Sequence, residues 1–198
     1  MVKTISILVV IFITAGVLQP ASAQKNNTGK VDKKEAEEAF QYLQDIRLHP
    51  ETYSSLHQFL KHAKISKLQL RWNDTLAKVA ETKALDMADK NYFAHVDKKG
   101  FGINYRINEA GYKLEPAWLK PKSENFFESI CAGMESGKNA IDILLVDKGI
   151  PSLGHRKHLL GLDDWNASLY DIGIGYVNIP EGSKYISYMS LIIAKRHW

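Results

Sequence analysis

Apolar residues recur every three or four positions in the first half of the chain, which is the spacing of one face of an α-helix. Asp32 can cap the first such helix, whose apolar face comprises Ala36, Phe40, Leu43 and Ile46. The Asn73-Asp74-Thr75 cap precedes a second face of Leu76, Val79, Ala80, Ala84 and Met87. Shorter helical patterns occupy Thr52 to His62, Ile103 to Ala110, Ala140 to Val146 and Gly154 to Leu160.

The end of the chain has a β pattern instead. Ile172 to Val177 and Tyr185 to Ile193 are apolar runs on either side of a turn signal, Pro180 to Gly182, which predicts an antiparallel hairpin. Leu68 to Trp72 is typical of an extended segment, and the loose alternation of Ser123 to Ile130 predicts a strand that carries Glu124. Helices and strands follow one another without a βαβ rhythm, so the predicted fold class is α+β.

The first residues have the pattern of an export signal. Lys3 supplies a positive charge, Ile5 to Leu18 is apolar, and Ala21-Ser22-Ala23 offers a small-residue cleavage site. The apolar run is shorter than the roughly 20 residues of a membrane-spanning helix. We therefore predict a signal peptide over residues 1–23, a mobile leader over 24–31 and a single domain over 32–198. The alternative of an uncleaved anchor stays open.

Composition narrows the class of partner. The 198 residues carry a formal charge of +4 with opposite charges interspersed, and they contain no basic stripe threaded with aromatic residues. A nucleic-acid partner is therefore not expected. Cys131 is the single cysteine, which rules out an intramolecular disulfide and predicts a buried, unreactive thiol. We expect a monomer, secreted or periplasmic, without a stable membrane span.

Three short strings occur in a fixed order between the helical half and the hairpin. Tyr92-Phe93-Ala94-His95 is followed by Ser123-Glu124-Asn125 and then by Gly154-His155-Arg156. With these strings, the segment from about Leu70 to Lys195 resembles the CAP domain of cysteine-rich secretory, antigen 5 and pathogenesis-related proteins, in its bacterial branch. The resemblance implies a three-layer α-β-α sandwich with a small, mostly antiparallel sheet. It also implies a cleft in which two histidines and two acids converge.

Position by position, the resemblance assigns the two histidines to His95 and His155 and the first acid to Glu124. Asp147 is the candidate for the second acid, although the family usually has Glu there. The chain also lacks the disulfides of the animal and plant members. Finally, it has His158 where bacterial members commonly have Asn.

The chemistry of these residues leaves three hypotheses for the role of the histidines and acids: a metal site, a metal-assisted hydrolase and a structural cluster. Two neutral imidazoles and a carboxylate suit Zn²⁺ or another divalent metal, and His158 lies one helical turn from His155, so it could share the ion. A metal-assisted hydrolase would use Glu124 and Asp147 as the catalytic acids. Alternatively, the cluster only ties helices to the sheet by hydrogen bonds. We favour an exported binding or interaction module whose cleft takes an extracellular ion, lipid or protein without turnover.

Overall fold

The computed structural model describes residues 29–179 and 184–197. The predicted signal peptide, its cleavage site after Ala23 and the turn after Pro180 lie outside these residues. Within them, no helix has both the length and the apolar character that a membrane crossing requires.

Residues 29–179 and 184–197 contain six α-helices and five strands. The helices are α1 (Lys33–Leu48), α2 (Asp74–Asp89), α3 (Ile103–Glu109), α4 (Gly137–Val146), α5 (Gly154–Leu160) and α6 (Asp164–Ala167). The strands are β1 (Lys30–Val31), β2 (Arg71–Trp72), β3 (Glu128–Ala132), β4 (Asp171–Asn178) and β5 (Ser187–Ala194). Both predicted caps are present, because the side chain of Asp32 accepts from the amide of Glu35 and that of Asn73 from the amide of Leu76.

The strands form one sheet in the order β1-β4-β5-β3, with β2 paired to β4. Only the short β2–β4 pairing is parallel. In the central antiparallel pair, Ile174 lies opposite Leu191. The predicted hairpin strands and the α+β class are therefore confirmed.

The sheet has helices on both faces. Gly173 and Gly175 of β4 face α2, where a Cβ on either would overlap the backbone of Ala77 or Glu81. Residues of a strand alternate between the two faces. Ile174 and Tyr176 therefore point the other way, into the core with α1 and α4. The result is the expected three-layer arrangement, with β3 at one edge of the sheet.

Three segments differ from their sequence-based assignments. Thr52 to His62 forms turns and a 3-10 helix (Gln58–Lys61) rather than an α-helix. Lys30 and Val31, which the leader was expected to include, form β1 against β4. The strand predicted from Ser123 begins only at Glu128, because the carbonyls of Lys122 and Glu124 bond to the amides of Gly102 and Asn104 at the start of α3.

Candidate functional site

His95 is oriented by a buried carboxylate on the edge strand. Its Nδ1 lies 2.9 Å from Oε2 of Glu128, the first residue of β3. Ser190 of β5 donates to the other oxygen, Oε1, at 2.7 Å. The side chain of Glu128 is 0% exposed and that of His95 is 37% exposed. Because Nδ1–H donates to the carboxylate, Nε2 is the nitrogen that keeps its lone pair for a ligand.

Lys83 of α2 holds the loop that carries His95. This lysine is buried, and its ammonium donates to the carbonyls of Ala94 and His95 at 2.7 and 3.0 Å and to the hydroxyl of Tyr92 at 3.2 Å. All three ammonium protons therefore have acceptors within one short loop. Burial lowers the pKa of Lys83, and the nearby Glu128 opposes that shift.

His155 is oriented in the same way from the other side of β3. Its Nδ1 lies 2.7 Å from Oδ1 of Asp147, while Oδ2 accepts from the amides of His155 and Arg156 at 3.0 and 3.2 Å. Asp147 ends α4 in a left-handed conformation, with φ of 53°. Asp tolerates this conformation better than most residues do, and its carboxylate there caps the first turn of α5. A shorter acid than Glu therefore reaches the ring.

The ring of His158 is held in the core by contacts to both of its nitrogens. Ser129 Oγ lies 2.8 Å from Nδ1, and Nε2 lies 3.4 Å from the carbonyl oxygen of Ile193, so both ring nitrogens are engaged. The pKa of His158 is lowered to about 4, first by burial and to a lesser extent by the nearby charges of His155, Arg47 and His95, against the opposing effect of the hydrogen bond to Ile193. His158 thus lies near both His95 and His155 without a free nitrogen for an ion.

The acid that contacts His95 is Glu128, which corrects the assignment of that role to Glu124. The hydrogen bonds of Glu124 are made by its backbone, at the start of α3. The sequence contained a usable signal, because Glu128 alternates with Ile130 and Ala132 along a strand and so shares one face with them. That signal was hidden because the strand was predicted to begin at Ser123, five residues too early.

The three-ligand metal group expected from His95, Glu124 and His155 does not assemble. Across 29–179 and 184–197, no three His, Cys, Asp or Glu side chains come together closely enough to hold an ion. His95 lines a cavity of about 450 Å³ beside α2 and α3, whereas His155 and Asp147 line another of about 340 Å³ along β3 and α4. The structure therefore forms two acid–histidine pairs that flank β3, rather than one four-residue cluster.

Cys131 lies on β3 between these pairs. It is free and buried, as predicted, and burial raises the pKa of its thiol to about 11. The neutral thiol is the form that persists at physiological pH, so a nucleophilic role is not supported.

Two bacterial proteins are similar to this chain. The chain is 32% identical over 117 residues to the uncharacterized protein YkwD of Bacillus subtilis (strain 168), which covers 54% of this chain and 35% of that protein. It is also similar to the crystal structure of an extracellular protein containing a SCP domain from Bacillus anthracis str. Ames. That match has 24% identity and a TM-score of 0.48, and it covers 82% of this chain and 42% of the other.

The chain thus spans less than half the length of either relative. The sequence profile of the cysteine-rich secretory protein family, CAP, matches residues 40–191. This match begins inside α1, well before the Leu70 boundary expected from the motifs, and it covers most of the chain. The chain therefore belongs to the CAP family of cysteine-rich secretory proteins.

Proposed function

We propose that this chain is an exported binding module whose two cavities beside β3 each offer a ligand one imidazole nitrogen, Nε2 of His95 in one and Nε2 of His155 in the other. The observation that carries the proposal is the shared geometry of the two rings. Each Nδ1 donates to a buried carboxylate, at 2.9 Å from Glu128 and 2.7 Å from Asp147. A carboxylate on one nitrogen fixes the tautomer and raises the basicity of the other, which is how proteins prepare histidines for ligands. Export is supported by the signal-peptide pattern of residues 1–23 and by the secretory character of the family.

A divalent metal such as Zn²⁺ suits the donor chemistry of this site, because neutral imidazole nitrogen is a preferred zinc ligand. Each of the two cavities offers one such nitrogen, and no three ligating side chains of the described residues come together there. Water or a bound partner would therefore complete the coordination. Zinc binding of this kind is weaker than at a closed four-residue site.

Binding without turnover fits the two acids better than hydrolysis does. Both oxygens of Glu128 accept hydrogen bonds, one from Ser190 and one from His95. Both oxygens of Asp147 are likewise engaged, by the ring of His155 and by two backbone amides. A general base needs a carboxylate within reach of the water that it deprotonates, and these two are committed to orienting histidines.

Titration with Zn²⁺ tests the proposal. We expect zinc to raise the melting temperature of the full chain, since an ion that binds only the folded state stabilises it. His95→Ala and His155→Ala should each lose part of that shift and the double variant most of it, and the exposed His49→Ala is the matched control that should keep it.

Other results of the same titration would contradict the proposal. If the double variant kept the shift, zinc would bind elsewhere on the chain. If His95→Ala responded to zinc as the wild type does, the pairs would be structural only.

A further inference from the structure

The outer edge of β3 presents main-chain groups that no neighbouring strand uses. β3 pairs with β5 on one side only, with Ser129 opposite Leu191 and Cys131 opposite Met189. The carbonyl of Phe127 and the amide of Gly133 bond to β5, which fixes the alternation of the ladder. The main-chain groups of the even-numbered residues therefore point away from β5.

Asn125 already fills the first position of this edge as a strand would. Its side-chain amide accepts from the amide of Glu128 at 2.9 Å and donates to the carbonyl of Glu128 at 3.1 Å. The next outward-facing residue is Ile130. Among the described residues, none donates to its carbonyl or accepts from its amide. A main-chain donor and acceptor at a sheet edge are a template for another strand.

The edge forms the floor of an apolar groove. The cavity of about 340 Å³ beside it is lined by Ile130 to Ala132 and by apolar side chains from both faces of the sheet. On one side Phe93 is 44% exposed; on the other Ile143, Val146 and Ile150 are 51%, 41% and 40% exposed. Four large apolar side chains left in solvent around one groove are typical of an interaction site.

The shape of the groove selects its occupant. Side chains stand on both sides of the edge, so a single extended segment fits between them and can reach Ile130. The β3 edge of a second copy would carry the same side chains, which would meet those of the first before the two edges could pair. The exposed ammonium groups of Lys148 and Lys184 lie at the rim, beside Asp147 and above the ring of Tyr185 respectively. They favour an acidic side chain next to the apolar ones.

We propose that the edge of β3 is a docking site for an extended peptide, which adds a strand at Ile130 and places apolar side chains between Phe93 and Ile143. This assignment rests on the proposed function as a binding module and names a class of partner for the His155 side of β3. Main-chain pairing supplies affinity and the groove supplies side-chain selectivity, as in other cases of strand addition. The contact is small, so the dissociation constant should lie in the micromolar range or weaker.

Selection from a random linear peptide library displayed on phage, with the full chain as bait, supplies the probe. The best peptide is synthesised with a series of single N-methylated backbones. Strand pairing uses alternate residues, so N-methylation should weaken binding at least about tenfold at alternate positions and be tolerated between them. The amide of Ile130 should shift in nuclear magnetic resonance spectra.

Variants of the groove complete the test. Ile143→Asp should weaken peptide binding at least about tenfold, and Leu56→Asp, at a 61% exposed leucine outside the groove, should not. Ile143→Asp keeps both acid–histidine pairs, so its zinc response should match that of the wild type. Failure here and failure of the imidazole site are therefore distinguishable.

Several outcomes would overturn the proposal. They are a selection that enriches no sequence, a peptide indifferent to N-methylation at every position, and an unshifted Ile130 amide. A dimer in sedimentation experiments that Ile143→Asp dissociates would assign the edge to a second copy instead.

Discussion

The three histidines around β3 differ in what each ring nitrogen contacts. His95 and His155 each have a carboxylate on Nδ1, which fixes the tautomer in which Nε2 keeps its lone pair. His158 has a hydroxyl and a carbonyl instead, in a buried position where a positive charge is costly. The same side chain therefore has a carboxylate partner at two positions and is a neutral core residue at the third.

His158 should make the domain sensitive to acid. Its pKa is about 4 in the folded state against about 6.5 in an unfolded chain, so between these values the unfolded state binds more protons. Stability should therefore be fully present above pH 6.5 and decline as the pH falls to 4, by up to about 3 kcal/mol from this group. His158→Asn keeps a partner for Ser129 and removes the titration.

Chemical denaturation of wild type and His158→Asn at pH 7, 5.5 and 4.5 measures this effect. The difference in unfolding free energy between the two should shift in favour of the variant as the pH falls. A difference that stays constant across the three pH values would mean that His158 is not held neutral.

Single residues also show what the sequence could indicate. The family resemblance singled out both histidines and Asp147, and in the structure Asp147 contacts His155. Glu128 was missed because its role depends on a contact with His95 across 33 positions of the chain. Lys83 was missed for the same kind of reason, since a lysine on an amphipathic helix is usually solvated.

At the scale of elements, the spacing of apolar residues predicted most of the local secondary structure. The caps of α1 and α2 and the β4–β5 pair follow from patterns of nearest neighbours along the chain. The start of β3 does not, because it depends on the side chain of Asn125 and on the docking of the preceding loop against Gly102. The spacing of apolar residues along the chain cannot reveal a side chain that takes the place of a neighbouring strand, as the amide of Asn125 does at Glu128.

The β4–β5 pair should be the element that tolerates charge least. Ile174 is 1% exposed and lies opposite Leu191 in the layer shared with α1 and α4. Ile174→Asp buries an unpaired carboxylate there and should destabilise the domain by at least about 3 kcal/mol.

Thermal or denaturant unfolding measures the loss, and Ile186→Asp is the matched control. Ile186 precedes β5 and is 53% exposed, so the same substitution there should cost under about 1 kcal/mol. Equal melting temperatures for Ile174→Asp and the wild type would show that this face of β4 is not the core.

At the scale of the whole molecule, the sheet joins parts of the chain that are far apart in sequence. β1 lies at the start of the described residues and pairs with β4. Asp32, the residue after β1, bonds to β4 through both its main chain and its side chain. Its amide donates to the carbonyl of Tyr176 at 2.8 Å, and its carboxylate accepts from Asn178 at 3.0 Å. The boundary between leader and domain therefore lies before Lys30, and not after Val31.

The position of this boundary can be tested by signal cleavage and by truncation. Cleavage after Ala23 would leave β1, Asp32 and every helix of the described residues intact, so mass spectrometry of the exported protein should find Gln24 as its first residue. A chain that begins at Gln24 should melt as the full chain does. A chain that begins at Lys33 loses the cap of α1 and the two paired residues of β1. It should therefore be less stable by about 1–2 kcal/mol. An exported protein that still begins at Met1 would contradict export by a cleaved signal, and equal melting of the two truncated chains would show that β1 adds nothing to the sheet.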